Sequence, residues 1–165
     1  MAGREIARQE REGVCDVLSS AGPDALTLCE GWKTRDLAAH LFVRERRPLA
    51  MPGIMIGGSC ATFTRHSMLA ALRAHGYQGV VDIVRSGPPL LWRPIDPLVN
   101  LVEFFVHHED VRRAQPDWEP RSDAFLDAAL WASLARIKRL LRSKVHGVGL
   151  ELVSPQGARI VVRDA

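Results

Sequence analysis

The sequence predicts a mainly α-helical bundle carrying a short C-terminal β-hairpin, and three observations lead there. Six segments place apolar residues three and four apart, as a helix face requires. Proline and glycine breakers such as Ala21-Gly22-Pro23 and Gly87-Pro88-Pro89 separate them. The period then drops to two in the tail, where Val148 to Val153 and Arg159 to Arg163 flank Ser-Pro-Gln-Gly as two strands would flank a turn.

Taken in order, residues 3 to 19 form the first helix, with Ile6, Val14, Val17 and Leu18 inward. Thr34 is the N-cap of a second helix with Asp36 in its first turn, ending near Arg47 where Pro48 follows. Residues 51 to 58 read as a connection, and helical segments run from Ala61 to His75 and from Val80 to Ser86. Asp96-Pro97 supplies a cap followed by proline at the first helical position, opening a helix that runs to about Gln115. Ser122 caps the last long helix, with Phe125, Ala129, Leu130, Leu134, Ile137 and Leu141 at helical spacing. Residues 1–146 are thus one helical domain and 147–165 its appendage. A two-stranded hairpin is marginal alone, so it must pack on the helices, pair across a homodimer or begin a larger sheet.

Composition narrows the function classes. A chain of 165 residues buries a core without disulfide or metal support. Its net charge is only +3 and its arginines are scattered, so no nucleic-acid footprint is expected. Cys15, Cys29 and Cys60 are too few and too dispersed for a disulfide framework, which suits a reducing, cytoplasmic setting. The N-terminus has no apolar h-region, and no run is long enough to span a membrane. The Gly-Gly-Ser and Ser-Gly-Pro-Pro stretches lack the context of a phosphate loop.

One helix carries the chemistry. Glu103, His107 and Asp110 are spaced i, i+4, i+7 on one face, among Val99, Val102, Phe104, Val106, Val111 and Ala114. A carboxylate amid packed apolar residues costs several kcal/mol unless it is paired, protonated or bound to a cation. His40, flanked by Leu37, Ala39, Leu41 and Val43, points inward from the second helix. Two imidazoles and a carboxylate from two helices fit a three-ligand site for a divalent metal, zinc above all, with an open position for water or substrate. Asp110 is placed to orient a ligand histidine from behind, or to touch the metal itself. His108 is turned about 100° from His107 and stands outside the ligand set, in a supporting role at most. The competing reading is structural: Arg44 and Arg47 share the His40 face and can neutralise Glu103 and Asp110 without a metal, or hold an anionic substrate beside one. His66, His75 and His146 have no partners at useful spacing. Cys29 precedes the second helix and is not expected to act as a nucleophile. The four tryptophans, Trp32, Trp92, Trp118 and Trp131, read as packing anchors.

The segment Gly31-Trp32-Lys-Thr-Arg-Asp-Leu-Ala-Ala-His40-Leu resembles the Gly-Trp-x-x-x-Asp-Leu-x-x-His motif of the DinB/YfiT-like metalloenzyme superfamily. Glu103-Phe-Phe-Val-His107-His-Glu-Asp110 resembles its second metal-binding helix. The similarity covers about residues 5 to 145 and is nearest to the N-terminal domain of mycothiol-dependent maleylpyruvate isomerase, in an actinobacterial metal-binding group. It implies an up-down-down-up four-helix bundle and a divalent metal, usually zinc, on His40, Glu103 and His107. It also implies mycothiol or another small thiol as co-substrate for isomerisation or S-transfer. A hydrolase using metal-activated water and a non-catalytic dimeric bundle are the alternatives. The isomerase has a sizeable C-terminal domain where this sequence has a hairpin.

Overall fold

The computed structural model describes residues 2–46, 59–88 and 97–164. Among the described residues five helices precede the hairpin: α1 (Ala2–Ala21), α2 (Thr34–Arg46), α3 (Ser59–Arg85), α4 (Pro97–Arg112) and α5 (Ala124–Lys144). Strands β1 (Leu150–Val153) and β2 (Arg159–Arg163) follow.

Cross-helix contacts fix the helix directions. Thr34 at the start of α2 donates its hydroxyl to Gly22 O just past the end of α1, while Glu45 near the end of α2 meets Arg11 in mid-α1. So α2 runs back along α1. Tyr77 reaches Leu18 O and Arg11 reaches Val84 O, so the second half of α3 also runs against α1. On α4, Asn100 faces Arg44 and Glu103 faces His40, which makes α4 antiparallel to α2 and parallel to α1. The order is up, down, down, up. α5 lies outside this bundle, against α1 and α4, through a small cluster of Ala7, Leu101 and Leu126.

The main core joins Val14 and Leu18 of α1, Leu37, Leu41 and Val43 of α2, Val80, Val81 and Val84 of α3, and Phe104 and Val111 of α4. Each such side chain contributes about 1.5–3 kcal/mol by leaving water. α1 packs closely on α4 and α2 on α3, whereas α2 and α4 meet mainly through long side chains. That wide seam holds the polar groups.

Several boundaries differ from the sequence reading. The break expected between segments 61–75 and 80–86 is present, at Gly76, whose φ of 67° a side chain would resist, and the second segment resumes directly after it rather than at Val80. The cap of α2 falls on Lys33, whose N–H donates to Asp36 Oδ2 at 3.0 Å, because Thr34 spends its hydroxyl on Gly22. Asp123, not Ser122, caps α5, accepting from Phe125 N and Leu126 N. α4 ends at Arg112, short of Gln115. Phe125, expected inward, is 82% exposed, and Leu126 is the buried residue at the start of α5. Asp96, Cys60 and Trp92 lie outside the described residues or side chains, as does the connection 51–58.

The hairpin forms as expected. β1 and β2 pair antiparallel, Leu152 opposite Ile160 and Val153 opposite Arg159, with an irregularity after Leu150. Its anchor is intramolecular: β2 packs on α5, Val162 is buried, and Arg163 donates to Val145 O at 2.8 Å. Among the described residues no helix is long and apolar enough to cross a membrane.

Candidate metal centre

The buried stripe of α4 is Leu101, Phe104, His108 and Val111, at spacings of three and four, and it faces α1 and the core. The wheel centred on Glu103 therefore needs correcting, and Val106, placed inward by it, is 44% exposed. Glu103, His107 and Asp110 lie one step round the helix, facing the α2 seam. There a carboxylate keeps partial access to water.

Across that seam His40 Nε2 stands 3.1 Å from Glu103 Oε1, and His107 Nε2 stands 3.4 Å from the same oxygen. The His40 and His107 rings meet edge to face at 5.0 Å. One donor atom from each of His40, Glu103 and His107 lies within 4.8 Å of the others. Tetrahedral ligands at about 2.1 Å from zinc are separated by about 3.4 Å, so the two printed edges are already near ligand spacing. The residues fit a borderline divalent cation.

Asp110 supports this geometry from behind. Its Oδ2 is 3.0 Å from His107 Nδ1, so the carboxylate accepts Nδ1–H and leaves Nε2 facing Glu103. Cys29 Sγ–H donates to the same oxygen at 3.2 Å. Nothing in the sequence flanking Cys29 gives a reason for contact with Asp110. The loop explains it: Leu28 N donates to Asp110 O at 3.0 Å, and Gly31, at φ 75°, turns the chain so that Trp32 N returns to Cys29 O. Trp32 then packs its ring 5.4 Å from that of His40. His40 Nδ1 is buried with no hydrogen-bond partner among the described residues, so its ring is held by Trp32, by His107 and by the Nε2 contact to Glu103.

Arg44 is the competitor that the sequence anticipated. Its Nε lies 3.2 Å from Glu103 Oε1, and its Nη1 donates to Asn100 Oδ1 at 2.9 Å. Arg47 lies outside the described residues. His108 does not support the centre. It points into α1, where Nδ1 is 3.1 Å from Glu10 Oε2 and Arg121 binds both Glu10 and Glu109. Gly13 makes room for it, since a Cβ there would stand 2.6 Å from His108 Cε1. Nothing at Gly13 or Arg121 in the sequence announces this second polar network.

Electrostatics follow the contacts. Burial alone would raise the Glu103 pKa, but hydrogen bonds from His107 and His40 and the charge of Arg44 hold it well below the usual carboxylate range. Burial opposes a charged His107, yet Glu103 and Asp110 outweigh it and raise its pKa above the ordinary 6.5. Burial and the Asp110 carboxylate push the Cys29 thiol up to about 12. Because the folded pKa of His107 is raised, its protonated form stabilises the metal-free chain below about pH 6.5, and that contribution fades as pH climbs through the raised value. A cation must displace the Nε2 proton, so zinc affinity is expected to rise as pH climbs from the ordinary imidazole value through the raised one. Competition titrations with a chromophoric chelator check this; a flat profile would exclude His107 as a ligand.

The fold and site together define a mainly helical bundle with a candidate divalent-cation centre between α2 and α4. No family model, curated protein or solved structure matches the chain.

Proposed function

We propose that the protein binds one divalent cation, zinc by preference, through His40, Glu103 and His107, and that it is a metal-dependent enzyme using a low-molecular-weight thiol. The carrying observation is the convergence of two imidazole nitrogens on Glu103 Oε1, at 3.1 and 3.4 Å, from two different helices. Bound there, zinc would supply Lewis acidity, which makes a thiol nucleophilic at neutral pH. The chain's residues do the rest. Asp110 fixes the His107 tautomer and ring plane. Arg44, anchored on Asn100 and mostly buried beside Glu103, sets one positive charge next to the centre, suited to a small anionic substrate. The resemblance of the Gly31–His40 and Glu103–Asp110 segments to mycothiol-using relatives supports the thiol, and mycothiol is the named candidate for isomerisation or S-transfer. Free Cys15 and Cys29 suit a reducing, cytoplasmic setting.

A second reading has its own observation. The Arg44 contact to Glu103 gives a charge-neutral network that needs no ion. Metal analysis of protein purified without added metal separates the two. One equivalent per chain, lost in His40→Ala, is expected. No bound ion and no uptake on titration would leave only the structural network. Thiol consumption against water-dependent product release then separates the transferase from a hydrolase.

A further inference from the structure

His107 faces different partners with its two nitrogens. Nε2 looks toward Glu103 and His40, while Nδ1 looks toward Asp110, and Cys29 Sγ shares that carboxylate oxygen. One donor atom from each of Cys29, His107 and Asp110 lies within 4.8 Å of the others, a second compact set of sulfur, nitrogen and oxygen. We propose that this set is a second cation position, on the Nδ1 side of His107, which competes with the first and takes thiophilic ions such as cadmium.

Three features support it. The set is built rather than incidental: the Leu28 N to Asp110 O hydrogen bond ties the loop to α4 next to Cys29, and Thr27 Oγ1 and Trp32 N both hold Cys29 O. Asp110 and His107 are mostly buried, with side chains 17% and 13% exposed, and Cys29 is half-buried, so the position is shielded yet reachable. The donor chemistry also differs across the ring. Two nitrogens and an oxygen suit zinc, whereas a thiolate shifts preference toward softer ions.

Sharing one imidazole makes the positions alternatives. With an ion on Nε2, His107 keeps its proton on Nδ1 for Asp110. With an ion on Nδ1, the proton sits on Nε2 and is accepted by Glu103. A cation arriving at the second position displaces the Cys29 S–H proton to solvent, and Asp110 changes from acceptor to ligand. The choice of side is thus set by the softness of the ion. This rests on the reading of His107 as a metal ligand, but not on His40 or Glu103.

Cadmium binding tests it, read through the ultraviolet thiolate-to-cadmium charge-transfer band. The wild-type chain with one equivalent of cadmium is expected to show the band, and His40→Ala to retain it. Cys29→Ser is expected to lose it and to bind cadmium on the order of ten-fold more weakly, while zinc affinity changes little. All chains carry Cys60→Ser, and Cys15 is fully buried in the core, so neither supplies the band. Helicity measured on each variant, with Glu103→Gln as a second lesion of the first site, excludes misfolding as the cause. A band that survives Cys29→Ser overturns the inference, as do uptake of two equivalents or equal losses of both metals in His40→Ala and Cys29→Ser. Absence of the band in wild type, with zinc binding still dependent on His40, would sink this position alone. Zinc binding indifferent to His40→Ala, with the band intact, would instead sink the proposed centre.

Discussion

His107→Ala is expected to abolish specific zinc binding, weakening it on the order of a hundred-fold or more, whereas His108→Ala leaves it nearly unchanged. The two histidines are neighbours in sequence and opposites in space. His107 loses contact with Glu103, Asp110 and the His40 ring, so both the ligand atom and the link between its supports disappear. His108→Ala instead opens the network among Glu10, Arg121 and Glu109. Its cost should appear as lost stability of about 1–3 kcal/mol, from polar groups left without a partner in a buried place. Zinc titration and denaturant unfolding on the two variants measure the two effects separately. Equal damage to zinc binding would mean that the faces of α4 are wrongly assigned.

Glu45→Ala is expected to be the most destabilising single change at a charged position. Arg11 and Glu45 form a paired, buried ion bridge between α1 and α2, Nη1 to Oε2 at 2.7 Å, with side chains 11% and 4% exposed. Arg11 also donates to Val84 O at 2.8 Å and lies over the Phe104 ring at 4.4 Å. One side chain therefore joins all four bundle helices. Removing Glu45 leaves a buried guanidinium whose remaining partners among the described residues are the Val84 carbonyl and the Phe104 ring. Such losses run to about 3–5 kcal/mol, a fall in Tm on the order of 10 °C for a chain of this size. Replacing both partners by apolar residues of similar volume should recover most of it, because the cost lies in the orphaned charge. Thermal unfolding of the single and double variants decides. A single variant within 1 kcal/mol of wild type, by the usual scatter of surface changes, would contradict the account.

The legible part of the fold was that set by local rules. Breakers at Gly22-Pro23 and Gly87-Pro88, the helix-to-strand change of period and the turn after Val153 all act within a few residues, and the structure keeps them. The candidate ligands were legible for a similar reason. Glu103 and His107 are one turn apart on any helix, and His40 had to point inward from an apolar arc. What escaped depends on tertiary neighbours. Whether the inner face of α4 centres on Glu103 or on Phe104 turns on the width of the α2–α4 seam, and nothing within α4 encodes that width. Cys29 and Asp110 are 81 positions apart and meet where hydrogen bonds from Leu28 N to Asp110 O and from Gln115 to Leu26 O dock the loop. Arg121 and Glu10 are farther apart still, joined by the return of the loop after α4. Arg44 was legible as a competitor because it lies one turn from His40, and the structure does bring it to Glu103.

In the proposed centre His40, Glu103 and His107 hold one ion between α2 and α4. Anomalous diffraction at the zinc absorption edge, from crystals of the wild-type chain grown with one equivalent of zinc, tests it most directly. One strong anomalous peak is expected within bonding distance of His40, Glu103 and His107, with Arg44 displaced from Glu103. A map without that peak, and with Arg44 still on Glu103 Oε1, would contradict it.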